Sequence, residues 1–133
     1  MFFVILQMEN SILHKIIKDA AYEVRLALRP GFLESVYQNA LVHELRLKGL
    51  LVETEVPIIV KYKEVVVGNF RADILVEKNV IIEVKAISEL HPIHEAQLVN
   101  YLVATGIDYG FLINYGGDIF RIALKRRLYR QLP

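Results

Sequence analysis

Three side chains near the middle of the chain have the types and spacing for phosphodiester chemistry. In GNFRADILVEKNVIIEVKA, Asp73 is followed ten residues later by the Glu83-x-Lys85 pair. The flanking residues are mostly Val and Ile, so both segments read as strands, joined by Glu77-Lys78-Asn79. Strand alternation puts Glu83 and Lys85 on one face and Val84 on the other. A two-residue turn would set Asp73 opposite Val84 and bury a carboxylate among apolar side chains, which is costly. A three-residue turn centred on Lys78, or a bulge, sets Asp73 opposite Glu83, and this is the arrangement expected.

Two carboxylates on adjacent strands repel unless a positive charge lies between them. Mg²⁺, with Mn²⁺ as an alternative, is the natural occupant: Asp73 and Glu83 supply oxygen ligands, and the backbone carbonyl of Val84 adds a third. Lys85 beside them can contact a scissile phosphate or the attacking water. That constellation suits metal-assisted phosphodiester hydrolysis. Isolated Asp…Glu-x-Lys triplets are more often ordinary ion pairs on a solvated strand, but the apolar setting of IIEVKA argues against that here.

The remaining elements must position this triplet. Asn10 or Ser11 is expected to cap a helix running to about Leu28, with Ile12, Ile16, Ala20 and Val24 at helical spacing. Pro30-Gly31 breaks it, and a second helix covers 33–48, with Val36, Ala40, Leu41 and Leu45 inward. Strands are expected over 52–61, 65–76 and 80–86, then a helix from Pro92 to about Thr105, then strands over 109–114 and 119–124 joined by Gly116-Gly117. The order is helix, helix, three strands, helix, two strands: an α/β fold with a mixed sheet flanked by helices.

Two helix pairs face the site. Gln97 and Tyr101, four apart in EAQLVNYL, share a helix face and aim at the triplet and a nucleotide. Glu34 and Tyr37, three apart in GFLESVY, sit at the start of the second helix, where Glu34 can reach the metal or hold Lys85.

Gly31, Glu34 and Tyr37, in PGFLESVYQNAL, match the signature for which the GxxExxY protein family is named. RADILVEKNVIIEVKA and AQLVNYL resemble the same family in order and spacing, and the likeness runs from about Ile12 to the C-terminus. That family is placed in the PD-(D/E)XK nuclease superfamily, with its restriction-endonuclease-like core. The resemblance implies Asp73, Glu83 and Lys85 as the metal-binding and catalytic triplet, and Glu34 and Gln97 in support. Two departures stand out. Members read close to EVHRxLGPG where this chain has EVRLALRPG, and Ala72 replaces the proline before Asp73. The implied function is a Mg²⁺-dependent nuclease acting on nucleic acid, DNA before RNA, with Arg71, Tyr37 and Tyr101 as substrate contacts. Small nucleases of this superfamily often cut duplexes in pairs, so a homodimer is implied as well. The alternative is an inactive module that keeps the fold and binds nucleic acid or a protein partner.

Bulk properties bound the rest. The 133 residues fit one compact domain, and 54% apolar against 23% charged makes it globular. A net charge of +1 shows no global attraction to nucleic acid, so any basic surface is local. The chain has no cysteine, which excludes thiolate nucleophiles and suits a reducing, cytoplasmic setting. No apolar run approaches the ~20 residues that span a bilayer, so no membrane is expected. MFFVILQ reads either as an upstream extension, with residues 1–9 outside the domain proper, or as a short strand or packing arm. His91, His94 and Glu95 match no standard zinc spacing. Lys125, Arg126, Arg127 and Arg130 form a basic tail that either contacts phosphates or is simply solvated.

Overall fold

The computed structural model describes the backbone of residues 2–127 and the side chains of residues 9–127. Its elements run α1 (Phe2–Ala27), α2 (Glu34–Leu47), β1 (Val52–Tyr62), β2 (Val65–Val76), β3 (Val80–Lys85), α3 (Pro92–Thr105), β4 (Tyr109–Asn114) and β5 (Arg121–Arg126). The strands form one mixed sheet in the order β1-β2-β3-β4-β5, with only β3 and β4 parallel and α3 as the crossover between them. Among the described residues, no helix is long and apolar enough to cross a membrane.

The sheet is covered on both sides. Ile17, Ala20, Ala21 and Val24 of α1, with Tyr37, Leu41, Val42 and Leu45 of α2, pack on Ile74, Val76, Val80, Ile82 and Val84. On the other side, Leu98, Tyr101 and Leu102 of α3 pack on Leu75, Ile81 and Leu112. Two expectations shift here. Helix α1 starts at Phe2, because no Pro or Gly interrupts 2–10, so Asn10 and Ser11 lie inside it and do not cap it. Its inward stripe is 17-20-21-24, leaving Ile12 exposed. In helix α2 Leu41 and Leu45 are buried as expected and Ala40 packs against the core, but Tyr37 and Val42 are buried beside them and Val36 is only half-buried.

The end of β3, which carries Lys85, is fixed by β4. Asn114 is buried; its Oδ1 accepts from the N–H of Ile87 (3.0 Å) and of Gly116 (3.1 Å), and its Nδ2 donates to the Ile87 carbonyl (2.9 Å). A Cβ on Gly116 would lie 2.4 Å from the Ile87 carbonyl oxygen, so only glycine permits this approach. Asn114→Ala leaves buried backbone groups without partners and is expected to cost about 2–3 kcal/mol of stability, read from the denaturant midpoint at unchanged m-value.

Candidate active site

The β2–β3 turn decides whether the carboxylates meet. Val76 pairs with Val80, so three residues lie between the strands, and the Val76 carbonyl accepts from Asn79 N–H at 2.9 Å. Glu77 and Lys78 both adopt left-handed φ values of 51° and 53°. Such residues are strained by roughly 1–2 kcal/mol each. Glu77 offsets this by accepting from Leu51 N–H at 2.7 Å, and Lys78 by pairing with Glu53 at 2.7 Å. Continuing the register one step beyond Ile74–Ile82 places Asp73 opposite Glu83, as the three-residue turn requires.

There the ladder opens and side chains replace it. Val84 N–H donates to Asp73 Oδ2 at 2.8 Å, and Asp73 N–H donates to Glu83 Oε1 at 3.3 Å. In a strand, the N–H and C=O of one residue point to the same edge. The Val84 carbonyl therefore faces the same edge of β3 as its N–H, toward β2. On the other side of Asp73, β1 is irregular too. Glu55 has φ 51°, and the paired residues skip from Thr54–Ile74 to Val56–Ala72. Ile74 belongs to the core under α1 and α2, whereas Ala72 and Ile58 belong to the core under α3. The β1–β2 ribbon thus rolls over at Asp73. Gln38 of α2 spans the roll, donating to Glu55 Oε1 (3.0 Å) and to the Asp73 carbonyl (3.3 Å).

The electrostatics follow from burial. Glu83 is 6% exposed, and its carboxyl is pushed up to about 9, first by burial and then by the Asp73 carboxylate. Asp73 is also raised, again mainly by burial, with the Val84 N–H working against the rise. Burial and mutual repulsion thus both oppose ionising the two carboxyls together, and Glu83 carries the larger upward push. Lys85 favours the charged form of both carboxylates and of Glu34, whose own carboxyl is raised by burial. The two neighbouring carboxylates are hard oxygen donors, and the Val84 carbonyl on the same strand edge is a third candidate. They suit Mg²⁺, which is commonly held by one or two carboxylates with the rest of its shell water. No group of three or more His, Cys, Asp or Glu side chains among the described residues could hold a metal ion, so the protein would supply only part of the shell.

Gln97 and Tyr101 of α3 lie on the Lys85 side of the site. Both line, with Lys85, a groove of about 1040 Å³ between α3 and the β1–β2 ribbon. The Tyr101 hydroxyl is raised by burial and then by the charges of Glu83 and Asp73.

Two expected substrate contacts are not in the groove. Tyr37 is fully buried; its hydroxyl donates to the Arg29 carbonyl (2.7 Å) and accepts from Phe32 N–H (3.1 Å), while its ring stacks on Tyr115 at 4.9 Å. It holds the loop that leads into Glu34 rather than touching substrate. Arg71 is exposed, but alternation with Phe70 and Ala72 puts it on the other face of β2 from the groove. Conversely, Gln38 and Asn114 position the site and escaped the sequence reading. Gln38 had one usable signal, its i+4 spacing from Glu34.

The other candidates resolve locally. His91 and His94 cap α3, with His91 N–H donating to His94 Nδ1 at 3.0 Å. The described part of the basic tail is engaged along the sheet edge. Lys125 pairs with Glu95 at 2.9 Å, Arg126 lies over the Tyr109 ring, and Arg127 pairs with Asp108 at 2.9 Å. Strand β5 accordingly covers Arg121–Arg126, two residues later than expected. Arg130 lies outside the described residues.

Comparison with known proteins bears on the family and the fold. A family model of the PD-(D/E)XK nuclease superfamily matches residues 10–127. The crystal structure of SSO0001 is similar at a TM-score of 0.56 and 20% identity, over 72% of this chain and 50% of that one. The chain thus spans about half the length of that protein, and the likeness concerns the fold. No curated protein matches the chain.

Proposed function

The chain belongs to the PD-(D/E)XK nuclease superfamily, and on that premise we propose that it is a divalent-metal-dependent nuclease acting on DNA, with Asp73, Glu83 and Lys85 as its centre. The observation that carries this reading is the opened β2–β3 ladder, where Asp73 and Glu83 exchange hydrogen bonds with each other's strands beside Lys85. Within the superfamily, Gly31, Glu34 and Tyr37 support assignment to the GxxExxY group.

Asp73, Glu83 and the Val84 carbonyl would hold Mg²⁺ or Mn²⁺, which supplies a more acidic water and offsets negative charge on the scissile phosphate. The protein's own groups do the rest. Val84 N–H fixes the Asp73 carboxylate so that its lone pairs are presented to the gap. Glu83, whose carboxyl is raised by burial and by Asp73, would hold a cation as its carboxylate, so binding would be coupled to loss of its proton. Lys85 directs its ammonium at the reacting phosphate or water. Glu34 lies within electrostatic reach of Lys85 and biases where that charge rests. Gln97 offers an amide on the groove side.

The test is cleavage of labelled DNA and RNA by the wild-type protein and by Asp73→Ala, with Mg²⁺, with Mn²⁺ and with chelator. Metal-dependent cleavage, reduced at least about 10²-fold by the substitution, is expected. Equal cleavage by both proteins would overturn the site assignment. No cleavage under any metal, with nucleic acid still bound, would favour a non-catalytic module.

A further inference from the structure

The groove that contains Lys85 and Gln97 is apolar along most of its length. Ile59, Phe70, Ile93 and Val103 all line it and remain exposed, Phe70 by 44% and Ile93 by 69%. A contiguous exposed apolar surface beside a reactive centre marks a binding site rather than unfinished core. Phe70 and Tyr101 form an aromatic pair in it, with ring centroids 5.7 Å apart and planes tilted by 42°. Tyr101 is nearly buried, so Phe70 is the member of the pair that remains accessible from the groove. Phe70 lies three residues from Asp73, or ~10 Å of strand, which is the reach of a few nucleotides at ~3.4 Å each.

The charges say which form of nucleic acid fits. Duplex binding is dominated by cations placed along two phosphate backbones. This groove has two lysines, Lys85 beside the carboxylates and Lys61 on β1. Two cations and an aromatic platform match one backbone with its bases turned inward, the arrangement by which single strands are held. We propose that the groove is a base-stacking subsite for unpaired nucleotides flanking the scissile phosphate, with Phe70 as its platform, so that the substrate is a single strand or an unpaired strand end. The proposal rests on the nuclease reading for its catalytic context, but binding can be read without catalysis.

The experiment uses fluorescence anisotropy in chelator, with a labelled oligothymidylate of about a dozen nucleotides and a blunt duplex of the same length. The wild type is expected to bind the single strand at least about tenfold more tightly. Phe70→Ala should lose about tenfold for the single strand and little for the duplex. Because Phe70 is exposed, the substitution should leave the fold intact. The chain has no tryptophan, so Phe70→Trp places a sole reporter on the platform. Its fluorescence should be quenched by the single strand at wild-type affinity. Duplex bound as tightly as single strand, or an unchanged affinity in Phe70→Ala, or no quenching, would overturn the proposal. If the nuclease reading alone fails, these binding results stand while cleavage is absent. If the stacking subsite alone fails, Asp73-dependent cleavage of duplex persists.

Discussion

Lys85→Ala is expected to lower kcat by about 10³-fold while leaving the fold nearly unchanged. The main chain of Lys85, not its ammonium, belongs to the sheet: its carbonyl accepts from Tyr115 N–H at 2.8 Å, and the residue pairs with Asn114. Removing the side chain therefore costs little packing. What is lost is a cation within reach of Glu34, Asp73 and Glu83 and at the end of the groove. If that cation acts on the reacting phosphate, its contribution exists mainly in the transition state, so kcat and kcat/KM should fall together. Lys85→Arg, which keeps the charge in a different geometry, should fall between the two. Measured stability separates the readings. A loss of activity that tracks a lowered unfolding midpoint would mean a structural role, and retention of more than a tenth of the activity would remove Lys85 from the centre.

The meeting of Asp73 and Glu83 was legible because it depends on counting. Alternation fixes faces, and one residue of turn length fixes which side chains stand opposite. The strand limits 109–114 and the helix 92–105 were legible for a related reason, since apolar period and Pro or Gly punctuation coincide there, while 65–76 is bounded by the polar pairs Lys63-Glu64 and Glu77-Lys78. The roll of the β1–β2 ribbon was not. It turns on a left-handed Glu55, and a glutamate in a β-rich segment gives no sign of positive φ. Tyr37 was misread because two helical faces one residue apart were both plausible. Val36 and Tyr37 are each apolar enough to be inward, and only packing against Tyr115 selects the second. Ile59 and Phe70 show a different limit. Their hydrophobicity correctly marks strands, but hydropathy does not distinguish a residue that is buried by the fold from one left open for a ligand.

Glu83→Gln is expected to act in opposite directions on stability and on catalysis. The Glu83 carboxyl is raised from 4.5 to about 9 in the folded protein, chiefly by burial. A group raised on folding contributes stability that is complete below its unfolded value and lost as pH rises through its folded value. The metal-free wild type should therefore lose stability steadily between about pH 4.5 and pH 9. Glutamine is neutral throughout and can still hydrogen-bond to Asp73, so the variant should match the wild type near pH 5. Near pH 9 it should exceed it by on the order of 2 kcal/mol. Metal reverses the order. In the wild type, cation binding must displace the Glu83 proton, so affinity for Mg²⁺ should rise with pH up to about 9, by as much as about tenfold per unit. Titration calorimetry in two buffers of different ionisation enthalpy should show about one proton released at pH 7.5. Glu83→Gln has no proton to exchange and one anionic ligand fewer, so Mg²⁺ should neither stabilise it nor restore cleavage. A variant less stable than the wild type at pH 9 would show that ionising Glu83 costs the folded protein nothing, and would overturn the upward push that burial and Asp73 give it. A wild-type Mg²⁺ affinity that does not change with pH would remove the proton from the pair altogether.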